Sequence, residues 1–344
     1  MTEAAPDVTS LRAAEGILGQ AIVTTEPLRA GANNRLFRAE TEDHRYMLKL
    51  YPPPGDDGRN GFSAETRALA FMQDFPELPA PALRGYDREA GLAVMDFVEG
   101  QPADKAGTAD IDAAVSFAMA LRRAYDKSGR DIFGPATEAC LSPADVFAQI
   151  SRRRDGLQEA ASGSPSLAEF LTRSFDPAFE TFSDAAETKL ATAGIDKTAS
   201  LSAGQLTLSP SDFGFHNAIR RADGGLTFVD FEYFGTDDPV RLVADFLLHP
   251  GHALDAAQKR KFRDEVGGAF SELDPAYAPR FDALYPLVGL RWCMIILNEF
   301  LPRVLARRRA AGVITETRTL QDTQLRKANR LLDDLKLHYE GESS

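Results

Sequence analysis

Three polar residues stand at short, fixed separations in the stretch SPSDFGFHNAIRRADGGLTFVDFEYFG, residues 209–235: Asp212, Asn217 five residues on, and Asp230 thirteen beyond that. The segment between Asn217 and Asp230 reads as strand, Asp-Gly-Gly turn, strand. Such a hairpin folds Asn217 and Asp230 back to the same end, where both side-chain oxygens reach one Mg²⁺. That ion takes a few carboxylate or amide oxygens together with substrate phosphates. Asp212, on the loop just before, is then placed to accept a proton from a hydroxyl nucleophile. The plainer reading of the same residues is a set of solvated turns.

Further candidates lie upstream. Lys49 sits in RYMLKLY, where Met47, Lys49 and Tyr51 share one face of a strand by period-two alternation. A lysine in so apolar a strand either snorkels to water from an exposed edge or is buried and paired, because an unpaired buried ammonium is costly. Glu65, sixteen residues later on the following helix, could supply that pairing. Gly31, in LRAGANNRLFRAE, gives a turn at which backbone comes close to a ligand, with Asn33 and Asn34 offering amide donors. An ordinary hairpin turn reads the same way. The sequence has no GxxxxGK[ST] and no GxGxxG after a strand, which excludes a Walker-type loop and a Rossmann fingerprint.

The elements that must position these residues follow from periodicity and punctuation. A short amphipathic helix over 9–18 precedes three strands, AIVTTEPLRA, NRLFRAET and RYMLKLY. YPPPGDDGRNG is a loop. FSAETRALAFMQDF follows as a helix with Ser63 as its candidate N-cap, and PALRGYDRE and GLAVMDFVEG add two strands. From about 108 to about 192 the chain reads as three long helices. The 209–235 stretch is then a β island, and beyond Pro239 the pattern is helical with breaks at HPGH, LDPAYAP and RAAG. The expected class is α+β with two lobes: residues 1–100 as a β-rich N-terminal lobe ending in a hinge at Asp96–Gly100, and 101–344 as a mostly helical C-terminal lobe.

Bulk properties narrow the field. The chain has 344 residues, 44% hydrophobic and 26% charged, the balance of a soluble globular protein. A formal net charge of -12 argues against nucleic acid as a partner and suits a cationic substrate. Two distant cysteines, Cys140 and Cys293, make no disulfide framework or structural zinc site. The acidic N-terminus lacks the apolar core of a signal peptide. No apolar run approaches the ~20 residues of a spanning helix, so the expectation is a cytoplasmic protein with no membrane partner.

Asp-x4-Asn, a hairpin and Asp-Phe-Glu together resemble the catalytic loop and metal-binding segment of protein-kinase-like phosphotransferases. VDFEYFG is most similar to the aminoglycoside phosphotransferase and choline kinase group, and the resemblance runs over roughly 31–250. It implies a two-lobed protein-kinase-like fold and ATP, with GTP as the alternative, as Mg²⁺-dependent phosphoryl donor. Gly31, Asn33 and Asn34 would cover the phosphates, and Lys49 would contact the α and β phosphates while pairing with Glu65. The Asp96 carbonyl and Val98 amide would meet the adenine edge. Asp212 would be the catalytic base, with Asn217 and Asp230 holding Mg²⁺. The acceptor would be a small molecule, an amino sugar, an amino alcohol or another sugar.

The sequence also departs from that pattern. Pro210 and Ser211 stand where the family often has His-Gly, and the family's further acidic residue is best matched by Asp245. DFEYFGTDDPVRLVADF leaves no room for the activation segment on which a protein substrate would dock. His216 is a candidate for contact with substrate or a loop carboxylate, or for bracing the loop, and Glu232 is a second candidate for the acceptor side. Arg291 and Asn298 share one face of a later helix, and Trp292 and Glu299 the next. They are candidates for an acidic or a cationic acceptor, against a plainer reading as core and solvated residues. HxxH at His249 and His252 reads as a helix end, and Arg307–Arg309 as a solvated face. The alternative to an enzyme is a nucleotide-binding module that has lost transfer activity, on the strength of the altered residues before Asp212.

Overall fold

A computed structural model describes residues 5–28, 34–52, 60–103, 106–310 and 316–342. The architecture is α+β, with a small antiparallel sheet lobe and a larger helical part. Compactness divides the chain into two units: residues 1–137 with 208–236 and 251–254, and residues 138–207 with 237–250 and 255–344. The expected boundary at residue 100 falls inside the first unit, which also takes in the hairpin segment.

In the first unit, β1 (Thr24–Pro27), β2 (Arg35–Glu40), β3 (Arg45–Leu50), β4 (Leu83–Asp87) and β5 (Leu92–Asp96) form one antiparallel sheet in the order β1-β2-β3-β5-β4. β3 is therefore interior, flanked by β2 and β5. One face buries Phe37, Ala39, Tyr46, Leu48 and Val94 against Ala14 of α1 (Val8–Leu18). α2 (Gly61–Met72) starts from Asn60, whose Oδ1 accepts the Ser63 N–H at 3.0 Å. The cap is thus Asn60, three residues earlier than the expected Ser63: an Ncap side chain caps the amide three positions on.

Residues 97–100 lead into β6 (Gln101–Pro102), which pairs with β8 (Ala218–Arg220), and β8 pairs with β9 (Leu226–Phe228) across the Asp-Gly-Gly turn. β7 (Thr207–Ser209) and β10 (Gly235–Asp237) flank this hairpin in sequence. A Cβ at Gly100 would stand 2.3 Å from the Arg220 carbonyl oxygen, so the close approach of these backbones needs a glycine. α3 (Thr108–Lys127) supplies Phe117, whose ring meets Phe213 at 5.6 Å and Phe228 at 4.3 Å. Arg220 also pairs with Asp110 of α3. Aromatic packing thereby fixes the hairpin and the loop before it on one helix.

In the second unit, α4 (Pro143–Ala161) is followed by α5 (Pro165–Glu169), which runs through a π-helical turn, Phe170–Phe175, into α6 (Asp176–Thr192). Next come α7 (Pro239–Leu248), α8 (Ala256–Leu273), α9 (Tyr277–Ile296), a 3₁₀ turn Leu297–Phe300, α10 (Pro302–Ala310) and α11 (Thr317–Glu342). α9 is the centre, packed by α4, α6, α7 and α11. Pro286 lies inside it and has no N–H to give the Asp282 carbonyl. Lys189 Nζ donates to that oxygen instead, at 3.1 Å. Residues 277–300 are long and apolar enough to cross a membrane by length and composition, contrary to expectation, but 78% of an apolar 18-residue stretch within them is buried inside the protein. Its hydrophobicity is that of a core helix.

Candidate active site

Interior placement settles the state of Lys49. With neighbours on both sides in the sheet it has no edge from which to snorkel, and it is 5% exposed. Its Nζ donates to Glu65 Oε2 at 2.5 Å and to Asp230 Oδ1 at 2.6 Å. Glu65 is itself held: the Tyr51 hydroxyl donates to Oε2 at 2.5 Å and the Phe231 N–H to Oε1 at 3.3 Å. Burial alone would push the ammonium down, but Glu65 and Asp230 outweigh it and hold Lys49 above its ordinary range. Asp230 moves up as well, to about 6: burial raises it, Glu65 and Glu232 add to the rise, and Lys49 opposes. Two neighbouring carboxylates and one ammonium leave negative charge in excess around Asp230.

Asp230 has a left-handed backbone, φ 68°, and so has Ser211, φ 61°. Non-glycine residues held there cost of order 1–3 kcal/mol each and persist only where the surroundings impose them. The Asp212 N–H donates to the Pro210 carbonyl at 2.8 Å, closing the turn through Ser211. Asn217, at the end of the 3₁₀ turn Phe215–Asn217, donates its amide to the Asp212 carbonyl at 3.0 Å and to Asp212 Oδ2 at 3.3 Å. Its amide nitrogen is spent there, which leaves the amide oxygen as an acceptor. His216 Nε2 lies 3.1 Å from Asp212 Oδ1, so this histidine bonds the loop carboxylate.

Glu232 accepts from the Asn34 amide at 2.9 Å in a buried contact. Gly31 and Asn33 lie outside the described residues. In the segment expected to be the hinge, the Asp96 carboxylate is engaged by Arg84 at 2.6 Å through each oxygen. The Phe97 N–H is taken by the Arg45 carbonyl, whereas among the described residues nothing accepts the Val98 N–H.

The remaining candidates belong to the second unit. Trp292 Nε1 donates to Asp245 Oδ1 at 2.8 Å, and Arg291 donates to the same oxygen at 3.2 Å and to Gln149 at 2.9 Å. Arg241 fills the other oxygen of Asp245 at 2.8 Å. Arg291, Trp292 and Asp245 are all buried, and that carboxylate takes the Trp292 indole N–H and one Arg291 nitrogen, while another Arg291 nitrogen serves Gln149. Burial lowers the Arg291 guanidinium to about 10, with Arg241 adding to the fall and Asp245 opposing it. Asn298 falls past the end of α9, in the 3₁₀ turn, so it does not continue the face of Arg291; Glu299 is buried in that turn.

Residues 24–280 match the profile of the phosphotransferase enzyme family, which covers well over half of the chain. The chain belongs to that family. Solved structures share the fold of this phosphotransferase. Choline kinase LicA from Streptococcus pneumoniae is 17% identical with a TM-score of 0.57, over 93% of this chain and 97% of that one. The gentamicin complex of APH(2'')-IIa is 15% identical with a TM-score of 0.59, over 92% and 98%. A choline kinase from Cryptosporidium parvum Iowa II is 12% identical with a TM-score of 0.54, over 92% and 90%. At such identities the likeness is one of fold. No curated protein matches the sequence.

Two features of the phosphotransferase went unread in its sequence. Alternation puts Tyr51 on the face of Lys49, and that alone brings its hydroxyl within reach of Glu65, the partner of that lysine. The Asn34–Glu232 contact joins residues 198 positions apart, and nothing in local spacing announces it.

Proposed function

We propose that this phosphotransferase moves the γ-phosphoryl group of ATP, with GTP as the alternative donor, to a hydroxyl of a small polar metabolite. The observation that carries the reading is the buried Lys49 ammonium shared between Glu65 and Asp230, in the same unit as the bonded pair Asp212–Asn217. Residues 1–100 serve as the nucleotide lobe, ending in a hinge whose unclaimed Val98 N–H suits an adenine edge. Residues 101–344 carry the catalytic loop and the acceptor side. Lys49 orients the nucleotide's phosphates, Asp212 positions the acceptor hydroxyl and takes its proton, and Asn34 and Glu232 border the same site.

The donor set fits Mg²⁺. The Asn217 amide oxygen and the second Asp230 oxygen are hard oxygen ligands, Asp230 retains 36% side-chain exposure, and its carboxyl is raised where a cation would lower it. When bound, the ion would neutralise charge on the phosphates. The protein's own part is positioning and charge stabilisation, which dominate this class of reaction.

Amine-bearing alcohols lead as acceptors. Related folds are described with gentamicin, with streptomycin and ATP, and as choline kinases, and a net charge of -12 favours a cation. Thermal melting with and without Mg·ATP tests the clamp, in wild type and Asp230→Ala. A nucleotide-dependent rise that the variant loses is expected; absence of any rise in wild type at millimolar nucleotide overturns the reading. A panel of amino sugars, amino alcohols and sugars then identifies the acceptor.

A further inference from the structure

The Asp212 carboxylate is gripped on both sides. Asn217 reaches Oδ2 at 3.3 Å, and His216 Nε2 lies 3.1 Å from Oδ1. A carboxylate only accepts, so the imidazole donates. The His216 ring is itself held in a stack: it lies against His252 at 6.3 Å with 29° between the planes, and His252 meets Phe215 edge-on at 5.5 Å. Room for this stack depends on residue 214 having no side chain. A Cβ there would stand 2.8 Å from His216 Nδ1 and 2.7 Å from His252 Nδ1. The backbone of Gly214 is extended, φ 172°, a conformation open to any residue. Glycine is needed at 214 for space and not for its backbone freedom.

We propose that His216 is a positioning residue for phosphoryl transfer, fixing the rotation of the Asp212 carboxylate through Oδ1, and that Gly214 exists to admit the ring that does so. This rests on Asp212 as the base. In the transfer step the acceptor oxygen bonds to the γ-phosphorus while the bond from that phosphorus to the β–γ bridging oxygen breaks, releasing ADP. The hydroxyl proton passes to Asp212 Oδ2, whose contact with Asn217 is the longer and weaker of the two. A carboxylate free to rotate would present that oxygen only part of the time. The cost falls on turnover and not on nucleotide binding.

The test compares His216→Phe, His216→Gln and Gly214→Ala with wild type, using Asp212→Asn as reference. Two readouts are taken: Mg·ATP turnover toward water and the alcohol panel, and the imidazole ¹⁵N–¹H spectrum, with His216 assigned by its loss in His216→Gln. Expected is a fall in kcat of about 10- to 100-fold in His216→Phe and Gly214→Ala, the size of effect a misplaced reacting group produces, with KM for Mg·ATP unchanged. His216→Gln, which keeps a donor at a similar reach, recovers most of the loss. The protected Nε2–H resonance of His216 disappears in Gly214→Ala. Wild-type turnover in His216→Phe and Gly214→Ala, or an unaltered His216 resonance in Gly214→Ala, overturns the proposal. Full activity in Asp212→Asn instead removes the base on which it rests, so the two failures are distinguishable. Where turnover is too slow to measure, the spectrum alone decides.

Discussion

Two buried ionic clusters, one in each unit, are built from the same kinds of group and end in opposite states. Around Asp245 each carboxylate oxygen is taken by a donor, Arg241 on one side and Arg291 with Trp292 on the other, and the group is 3% exposed. Around Lys49 one ammonium serves Glu65 and Asp230, Asp230 keeps 36% side-chain exposure, and its carboxyl is raised by burial and by the neighbouring Glu65 and Glu232. The first cluster is closed and holds helices together. The second has acceptor capacity to spare and is partly open to solvent at Asp230. A charged residue in an apolar setting therefore marks a binding site only when its partners leave something unsatisfied that a ligand can complete.

Several measurements break or sharpen that contrast. Asp212→Asn should lower kcat by roughly 10²–10⁴, the usual contribution of a general base, while leaving the Mg·ATP-induced rise in melting temperature in place. Equal turnover in the variant would show that the open cluster lacks its base. Asp245→Ala should be the largest stability change, about 3–5 kcal/mol in denaturant unfolding, since it leaves Arg241 and Arg291 buried side by side without their counter-ion. Lys49→Met should cost less, because Asp230 can hydrate or take up a proton, and it should abolish the response to Mg·ATP. If Lys49→Met proves the more destabilising of the two, the distinction between a closed and an open cluster fails.

Asp237, a buried carboxylate that interacts with Arg241 of the closed cluster, should show itself in pH dependence. Burial pushes the Asp237 carboxyl up to about 7 against an ordinary 3.8, with Arg241 and the N–H groups of Cys140 and Asp238 opposing. The folded state thus binds this proton more tightly than the unfolded chain. Its stabilising contribution is full below about 3.8 and is lost as pH rises through about 7. The difference in melting temperature between wild type and Asp237→Asn should therefore change steadily across that window and level off outside it. The smallest effect is expected from Asn60→Ala, about 1 kcal/mol for a lost N-cap, read by thermal melting. It should loosen the start of α2, on which Glu65 is carried, without touching the second unit's cluster.

Sequence carried the local part of this molecule well. Alternation in RYMLKLY and helical spacing after Gly61 put Lys49 and Glu65 within reach of each other, and Asp-Gly-Gly between Asn217 and Asp230 required a hairpin. The contact between Lys49 and Asp230 bridges 181 positions, and only the resemblance to a family suggested that these residues belong to one site. Arg291 with Asn298, and Trp292 with Glu299, read as candidates for the acceptor because their types and helical spacing suit one. Arg291 and Trp292 both donate to Asp245, a carboxylate 46 and 47 positions away, and helix periodicity carries no information about such a partner. Ser63 and Asn60 are both competent caps by composition, and the Asn60 Oδ1 bond to the Ser63 N–H makes Asn60 the cap.

The π turn at Phe170–Phe175 bears on how this helix tolerates changes in length. α5 and α6 form one continuous rod, and the wider turn between them holds a surplus residue while Leu167, Phe170 and Leu171 before it and Phe175, Ala178 and Phe182 after it all remain buried. Removing one residue inside that turn would let it relax to ordinary α geometry and keep both apolar stripes facing inward. The same deletion a turn or two further along would rotate the remainder of the rod by about 100° and carry Ala186 and Leu190 out of the core. The molecule therefore carries in this helix a spare residue, and with it a place where the rod can shorten without being rewritten downstream.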